Sequence, residues 1–380
     1  MSNSTVAIAI GFMLFFAGGT AFILVSDTSE RTDLDINIIA TVNINGSGIF
    51  ATDSLGLSLP DHGLSGSELN AWKDANLDKW SVGLVFMTPG PASIQHVMLN
   101  KFIVETLGLN FAMYANTKSA GTVYWIQVAP TNMQSMFTTT AYIDGGFPWE
   151  PFFSGTVSSV SSAAAVGTSC QLEPNHPCCM VAAKESFLVN NEAAVLRFLS
   201  AYTETVDRVN TAILNPSSAD YDRLMAVSKD FTGILDNSVI NQAFAGLTYS
   251  YVLEDNLEDY TAGLVVDFEK LGTITRHVDD PAAFAHSFIN RTYLEKVLDE
   301  RTEENPSQKV KIRVGHLAGD IHQICLMFGV DAGIFDKYGI ELVRTLYVNG
   351  PGVMNAFQLG IIDIGFLGLP PAVINTVNFR

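Results

Sequence analysis

The chain has 380 residues, of which 48% are hydrophobic, so it can bury a sizeable core in one large two-lobed domain or in two smaller ones. Its net charge of −18, without a long basic run, argues against nucleic acid as a partner, because phosphate binding needs clustered Lys and Arg. An anionic ligand remains compatible with this charge, since backbone N–H groups at helix starts bind anions without basic side chains.

An uncharged apolar run over residues 6–25 is long enough to span a bilayer. A secretory signal would normally carry Lys or Arg before such a run, and none precedes it here. The pattern therefore predicts an uncleaved membrane anchor within residues 1–30, with a cleaved signal as the alternative. Either one would place the rest of the chain outside the cytoplasm, and an anchor would hold it at the cell membrane.

Alternating strand and helix patterns follow the apolar run. Strands are predicted at residues 36–45, 82–87, 122–128 and 142–144, and helices at 94–107 and 130–139. We interpret residues 53–80 as a surface excursion with a short helix, and residues 154–168 as a helix or a surface segment. An apolar strand ends near residue 183, helices dominate from 191 to 297, and the charged residues 299–308 are a linker.

Three further strands, at residues 310–314, 340–347 and 361–366, alternate with helices near the end of the chain. Pro370 or Pro371 suits the first turn of the last helix. This alternation predicts a parallel, helix-covered sheet. Because such sheets bind ligands at the carboxyl ends of their strands, the loops at 315–322, 349–352 and 365–369 are candidate binding loops.

The same stretch resembles the beginning of the substrate-binding proteins of nitrate/sulfonate/taurine-type ABC importers. Segments at residues 88–102, 142–152 and 175–183 resemble the middle of that family, and residues 231–251 and 280–298 resemble its end. The residues that match the opening motifs are Gly333, Phe335, Lys337, Gly339, Ile340, Gly350, Pro351, Met354, Ala356, Phe357, Gly360, Asp363 and Gly365.

The resemblance implies an α/β, two-lobed periplasmic-binding-protein type II fold whose motif order is circularly permuted. We expect an anchor or signal at 1–30, part of lobe one at 31–81, lobe two at 82–178, the helical part of lobe one at 179–298, a linker at 299–309 and the start of lobe one at 310–380. A truncated tandem gene or a domain-swapped oligomer is the alternative explanation. An intramolecular permutation predicts a monomer.

In lobe two, the resemblance and the local chemistry indicate two loops that bind the ligand. Gly90 permits close backbone approach, and Ser93 can bond an oxyanion or cap the helix that follows. Trp149 beside Glu150 suits a ligand with apolar and polar parts, whereas a structural tryptophan in the core is the alternative.

In lobe one, three groups of residues are expected at the ligand: Asn45, Gly46 and Ser47; His316, Asp320 and His322; Gly368 and Leu369. The first group could equally form an ordinary turn at the end of a strand. Residues of the second group could ligate zinc, but their spacing spans a loop and a helix start. We therefore expect ligand hydrogen bonding or helix capping there rather than a metal site.

The cysteines are too few for a disulfide framework. Cys170 could bridge to Cys178 or Cys179 outside the cytoplasm, or all four cysteines, including Cys325, are free thiols. Vicinal cysteines do not easily bind one metal together, so no metal site is expected at Cys178 and Cys179 either.

No nucleophile–base motif, Walker A sequence or dinucleotide-binding glycine pattern occurs, and no cofactor is predicted. The resemblance implies a receptor, not an enzyme, that captures a sulfonate, nitrate, taurine-like molecule or pyrimidine precursor. It would deliver this cargo to an ABC importer made of a permease and an ATPase. The alternatives are a ligand sensor without a transporter and a cofactor-precursor biosynthesis enzyme on the same fold.

Overall fold

A computed structural model describes residues 34–379, whose strands form two six-stranded sheets. The strands are β1 Ile36–Asn45, β2 Gly48–Thr52, β3 Val85–Thr88, β4 Asn110–Met113, β5 Thr122–Gln127, β6 Gly145–Gly146, β7 Ala163–Thr168, β8 Pro177–Lys184, β9 Leu247–Tyr249, β10 Val310–Leu317, β11 Ile340–Tyr347 and β12 Ile364–Gly368. The predicted anchor lies outside the described residues and stays a prediction. Within residues 34–379, no helix combines the length and the apolarity needed to cross a membrane.

The helices surround both sheets. They are α1 Gly66–Trp80, α2 Ile94–Lys101, α3 Pro130–Thr139, α4 Phe152–Ser159, α5 Ser169–Leu172, α6 Glu185–Asn190, α7 Glu192–Leu214, α8 Ala219–Thr232, α9 Asn237–Ala245, α10 Leu257–Lys270, α11 Pro281–Phe288, α12 Thr292–Asp299, α13 Ile324–Asp331, α14 Ile334–Lys337, α15 Gly350–Gln358 and α16 Leu369–Phe379. Short helical turns of other types cover Asp53–Leu55, Phe102–Thr106 and Ile321–Gln323.

The first sheet has the strand order β11-β10-β12-β8-β1-β9. β10 runs parallel to β11 and β12, whereas β8 is antiparallel to both β12 and β1. The predicted parallel strands near the end of the chain thus share one sheet with strands near its beginning. Helices cover this sheet on both faces, which explains why β1 and β8 are buried along almost their whole length.

The second sheet has the order β4-β5-β3-β6-β2-β7, with four parallel strands and an antiparallel pair at one edge. Its core includes Trp80 at the end of α1, whose ring stacks on Phe86 of β3 at 5.6 Å between centroids. The segment interpreted as a surface excursion therefore contributes a fully buried tryptophan to the core.

Two segments of chain pass between the sheets, one from β1 to β2 and one from β7 to β8. The first turns at Asn45 (φ 59°) and Gly46 (φ 100°), a left-handed backbone that glycine adopts without strain. The predicted boundary of lobe one at residue 81 is therefore wrong, because β2 and α1 already belong to the second lobe. Residues 154–168 likewise end in β7, which pairs with β2. Local patterns do not reveal which sheet a strand joins.

Candidate functional site

A cavity of about 260 Å³ lies between the two sheets. It is walled by loops at the carboxyl ends of parallel strands from both lobes, where ligands of open α/β sheets bind. The second lobe contributes Pro89, Ser93, Gln95, Gln127 and Trp149, and the first contributes Asp320, His322, Asn349, Gly350, Gly368 and Pro371, with Cys178 and Cys179 from β8. Among the described residues that line this cavity there is no Lys or Arg.

Three helices, α2, α15 and α16, begin at the cavity wall. Ser93 caps α2: its hydroxyl accepts a hydrogen bond from the His96 N–H at 3.3 Å and donates one to the Gly90 carbonyl at 2.7 Å. Asn349 caps α15 by accepting from the Gly352 N–H at 3.0 Å. Helix starts carry partial positive charge, so they give the cavity a weakly positive wall without basic side chains.

Asp320 and His322 form the wall in the first lobe, and both are about 99% buried. Asp320 caps the short turn after β10 by accepting from the His322 N–H at 3.1 Å. The His322 Nε2–H donates to the Gly46 carbonyl at 2.8 Å, which leaves Nδ1 facing Asp320 and the two cysteine sulfurs. Burial lowers the pKa of His322, but the negative charges of Asp320 and Cys178 outweigh burial and raise it to about 10.

His316 does not lie beside Asp320 and His322, so the three residues that were predicted as one group are divided. Its Nδ1 lies 3.3 Å from the carbonyl oxygen of Leu317, and its ring lies 5.9 Å from that of Phe231, beside a different pocket that Arg344 borders. Successive residues of a strand face opposite sides of a sheet, so Leu317 reaches the cavity and His316 cannot.

Asn45, Gly46 and Ser47 form the crossing segment and do not line the cavity. The Gly46 carbonyl accepts from both the His322 ring and the Glu150 N–H, the latter at 2.9 Å. The Ser47 hydroxyl accepts from the Gln95 side chain at 2.8 Å. These residues therefore connect the walls of the two lobes rather than facing the ligand.

Trp149 lines the cavity, but its neighbour Glu150 lies behind the wall and is 97% buried. The Glu150 carboxylate accepts from the Ser154 N–H at 3.1 Å and from the Ser154 hydroxyl at 2.8 Å. Burial raises the pKa of Glu150 to about 6, against the lowering effect of the two Ser154 bonds and of the His322 charge. Gly90 and Leu369 also lie outside the lining, beside Ser93 and Gly368.

Cys178 and Cys179 both approach the His322 ring, with Sγ to Nδ1 distances of 3.7 and 3.8 Å. Adjacent strand residues normally face opposite sides, but here the β1–β8 register shifts between the pairs Asn43–Cys179 and Ile44–Pro177. Cys178 is the extra residue of a β-bulge, which redirects its side chain. All four cysteines are free, so of the two alternatives the bridge from Cys170 is not formed.

The pKa values of the two thiols are shifted in opposite directions. The hydrogen bond from Cys179 and the neighbouring His322 hold the pKa of Cys178 well below its usual range, although burial opposes this. The same thiol–thiol contact, together with burial, raises the pKa of Cys179. Cys178 is therefore the more acidic of the two thiols.

A sequence model of the NMT1-like family matches residues 15–220, which is more than half of the chain. This chain belongs to the NMT1-like family. This match, together with the fold of a solved nitrate-binding protein, confirms the resemblance to nitrate- and sulfonate-type binding proteins that the motifs indicated.

The fold of this NMT1-like chain is similar to that of the periplasmic nitrate-binding protein NrtA from Synechocystis PCC 6803, with a TM-score of 0.51 and 14% identity over 70% of this chain and 67% of that one. The aliphatic sulphonate-binding protein SsuA from Escherichia coli matches with a TM-score of 0.44 and 11% identity over 66% and 69% of the two chains. The alkanesulfonate-binding protein SsuA from Xanthomonas axonopodis pv. citri, bound to MOPS, gives 0.41 and 12% over 68% and 74%. No curated protein matches the sequence.

Several cavity residues of this NMT1-like protein were not singled out from the sequence. Gln95 follows the predicted Ser93 by two residues, and Gln127 lies at the carboxyl end of a predicted strand, so position alone could have indicated both. Nothing in the sequence indicated that Cys178 and Cys179 face the same partner, because the bulge that turns them depends on pairing with β1.

Proposed function

We propose that this NMT1-like protein is an extracytoplasmic receptor that captures a small molecule between its two lobes and delivers it to the permease and ATPase of an ABC importer. The observation that carries the proposal is the cavity, whose wall is built by loops of both sheets. Two crossing segments join the lobes, which is the connectivity that hinge closure around a ligand uses.

The lining supports a ligand that combines a small anionic group with a flat or apolar body. The starts of α2 and α15 offer backbone N–H groups to the anionic group, whereas Pro370 and Pro371 in the first turn of α16 have none. Trp149 and the prolines at 89, 91 and 371 offer apolar surface to the body. The Asp320 carboxylate at the wall favours a ligand that also donates a hydrogen bond, such as an aminosulfonate or a pyrimidine precursor.

Thermal unfolding of the full-length protein with a panel of ligands tests this function. The panel contains nitrate, alkanesulfonates, aminosulfonates such as taurine, and pyrimidines, with chloride at matched ionic strength as the control. A ligand at a hundred times its dissociation constant adds about 2.7 kcal/mol to the free energy of unfolding, which raises the midpoint by several degrees. A cooperatively unfolding protein that shifts with no compound of the panel would contradict the proposal, and turnover of a bound compound would favour an enzyme.

We also propose that the chain is a circular permutation of the family's order, closed within one molecule. The strands from residues 310–368 complete the sheet that β1, β8 and β9 begin, with five register pairs between β12 and β8. Residues 299–309 join the helical part of the first lobe to β10, as a linker between former termini would. This proposal concerns chain order, and the receptor function does not depend on it.

A further inference from the structure

The buried cluster of Cys178, Cys179 and His322 brings three metal-ligating atoms to one point of the cavity wall. The two Sγ atoms and one ring nitrogen lie within 4.8 Å of one another. Two thiols and an imidazole are the donors that thiophilic d10 cations prefer. All three residues line the cavity, so the site adjoins the cleft from which an ion would enter.

We infer that Cys178, Cys179 and His322 bind one thiophilic d10 cation, Zn²⁺ or Cu⁺, at the inner wall of the cleft. The distances fit this assignment. With bonds of about 2.3 Å to sulfur and about 2.0 Å to nitrogen, a tetrahedral ion separates sulfur from nitrogen by roughly 3.5 Å. The cysteine sulfurs lie 3.7 and 3.8 Å from Nδ1 of His322.

The surroundings of His322 prepare Nδ1 as the ligand atom. Nε2 carries the proton, because its partner at 2.8 Å is the Gly46 carbonyl, which can only accept. Carbonyl partners of this kind fix the tautomer and the ring orientation of metal-binding histidines. A Cβ atom on Gly46 would lie 2.4 Å from Nε2, so glycine at this position keeps the ring in place.

Asp320 acts as a positioning residue beside the site. Its Oδ1 accepts from the His322 N–H and lies 3.4 Å from Nδ1, and its second oxygen lies 3.4 Å from the Gln323 amide. The carboxylate adds negative charge next to the cation. When the ion binds, Cys178 and Cys179 are both thiolates and Nδ1 of His322 is unprotonated, so the protons that these three groups carried leave to solvent.

The three protein donors leave a fourth tetrahedral position, and we place it on the cavity side because all three donors line the cavity. A water molecule, or a nitrogen, oxygen or sulfur atom of a bound solute, would complete the coordination there. The site therefore supplies a cation to a cleft whose described lining has no Lys or Arg. This assignment does not require that any particular solute is the cargo of the receptor.

Metal binding by the full-length protein tests the assignment, with metal removed beforehand by a chelator under reducing conditions and without a histidine tag. Zn²⁺ and Cu⁺ are titrated separately, and Co²⁺ serves as a spectroscopic probe. We expect one ion per chain, protection of two thiols from a thiol reagent, and thiolate-to-cobalt charge-transfer absorption. Either ion that binds in this way supports the site.

The variants Cys178→Ser, Cys179→Ser and His322→Gln should each weaken binding on the order of a hundredfold or more, because each removes a ligand. Cys170→Ser is the matched control, since Cys170 lies outside the cluster, and it should bind as the parent does. Asp320→Asn should weaken binding by roughly tenfold without abolishing the charge-transfer band.

Equal binding by the parent and by the double variant Cys178→Ser/Cys179→Ser would overturn the assignment. If a variant does not fold, measurements on the parent protein alone test the assignment. Absence of the charge-transfer band, or failure of the metal to protect two thiols, would overturn it and would show that the three residues form only a hydrogen-bonded thiol–imidazole cluster. Because the readouts are metal content and thiol protection, a failed solute panel and a failed metal site are distinguishable.

Discussion

The backbone N–H of Leu34 donates a hydrogen bond to the carbonyl oxygen of Phe379 at 3.2 Å, so the two ends of the described segment are in contact. Leu34 leads into β1, and Phe379 ends α16. The last helix therefore stops where the first strand starts. A chain that ran from residue 379 directly into residue 34 would follow the order of motifs in the resembled family.

We expect a rearranged chain, in which residues 310–379 precede residues 34–298 through a short Gly/Ser link, to fold to the same structure. Sheet pairing and core packing are unchanged, and only the connection is moved. Its thermal midpoint and its far-UV circular dichroism should match those of residues 34–379 within a few degrees. As the control, residues 34–308 lack β10, β11 and β12 and should not unfold cooperatively.

Light scattering of the full-length protein distinguishes closure within one chain from domain swapping. A monomer is expected, because β12 pairs with β8 of the same chain. An obligate dimer that dissociates only on unfolding would favour swapping and would remove the support that the Leu34–Phe379 contact gives to permutation.

Gly46→Ala should destabilise the fold by about 3 kcal/mol, because it combines backbone strain with a clash. Gly46 has φ 100°, and the new methyl group would lie 2.4 Å from Nε2 of His322. Denaturant unfolding measures the loss. Gly233→Ala is the matched control, since Gly233 has φ 74° with no atom within 4 Å of the added group, and should cost only about 1 kcal/mol. Equal losses would mean that the His322 contact is unimportant.

The stability of the protein should fall as the pH rises from about 4.5 to about 6, with Glu150 contributing about 2 kcal/mol of the change. Burial raises the folded-state pKa of Glu150 from 4.5 to about 6, so the folded state holds the proton more tightly than the unfolded state does. The stabilisation is present below the unfolded-state pKa and is lost above the folded-state pKa.

Glu150→Gln should flatten this part of the stability profile, measured by urea unfolding at several pH values. Glu68→Gln on the exposed face of α1 is the control and should leave the profile unchanged. A profile of the Glu150 variant that is parallel to that of the parent would show that another group, such as Asp320, carries the pH dependence.

Trp149→Ala should weaken binding of the ligand that the panel identifies by about tenfold or more, because it removes apolar surface from the cavity wall. The fold should remain intact, as judged by the far-UV spectrum and a cooperative transition. Trp72→Ala is the control, since Trp72 packs against Phe102, 6.0 Å away between ring centroids, and does not line the cavity. Unchanged affinity of the Trp149 variant, measured by calorimetry, would remove Trp149 from the site.

Most elements could be predicted from local sequence, and some bounds agree to the residue. The helix at 130–139 and the strands at 36–45 and 340–347 are found where the patterns put them. One strand, β7, was interpreted instead as part of a helix or a surface segment. The strand β7 in residues 163–168 is rich in small residues and lies at a sheet edge, so alternation of polar and apolar residues is weak there.

The sequence by itself determined the α/β class, the order of the family motifs and the loops at the carboxyl ends of the strands, because periodicity and glycine or proline punctuation are local properties. Only the tertiary structure decided which side of a strand each site residue faces. Register separated His316 from His322, and a bulge opposite β1 turned Cys178 towards the partner of Cys179. The bulge depends on pairing between β1 and β8, which lie more than a hundred residues apart, and no local pattern encodes such a pairing.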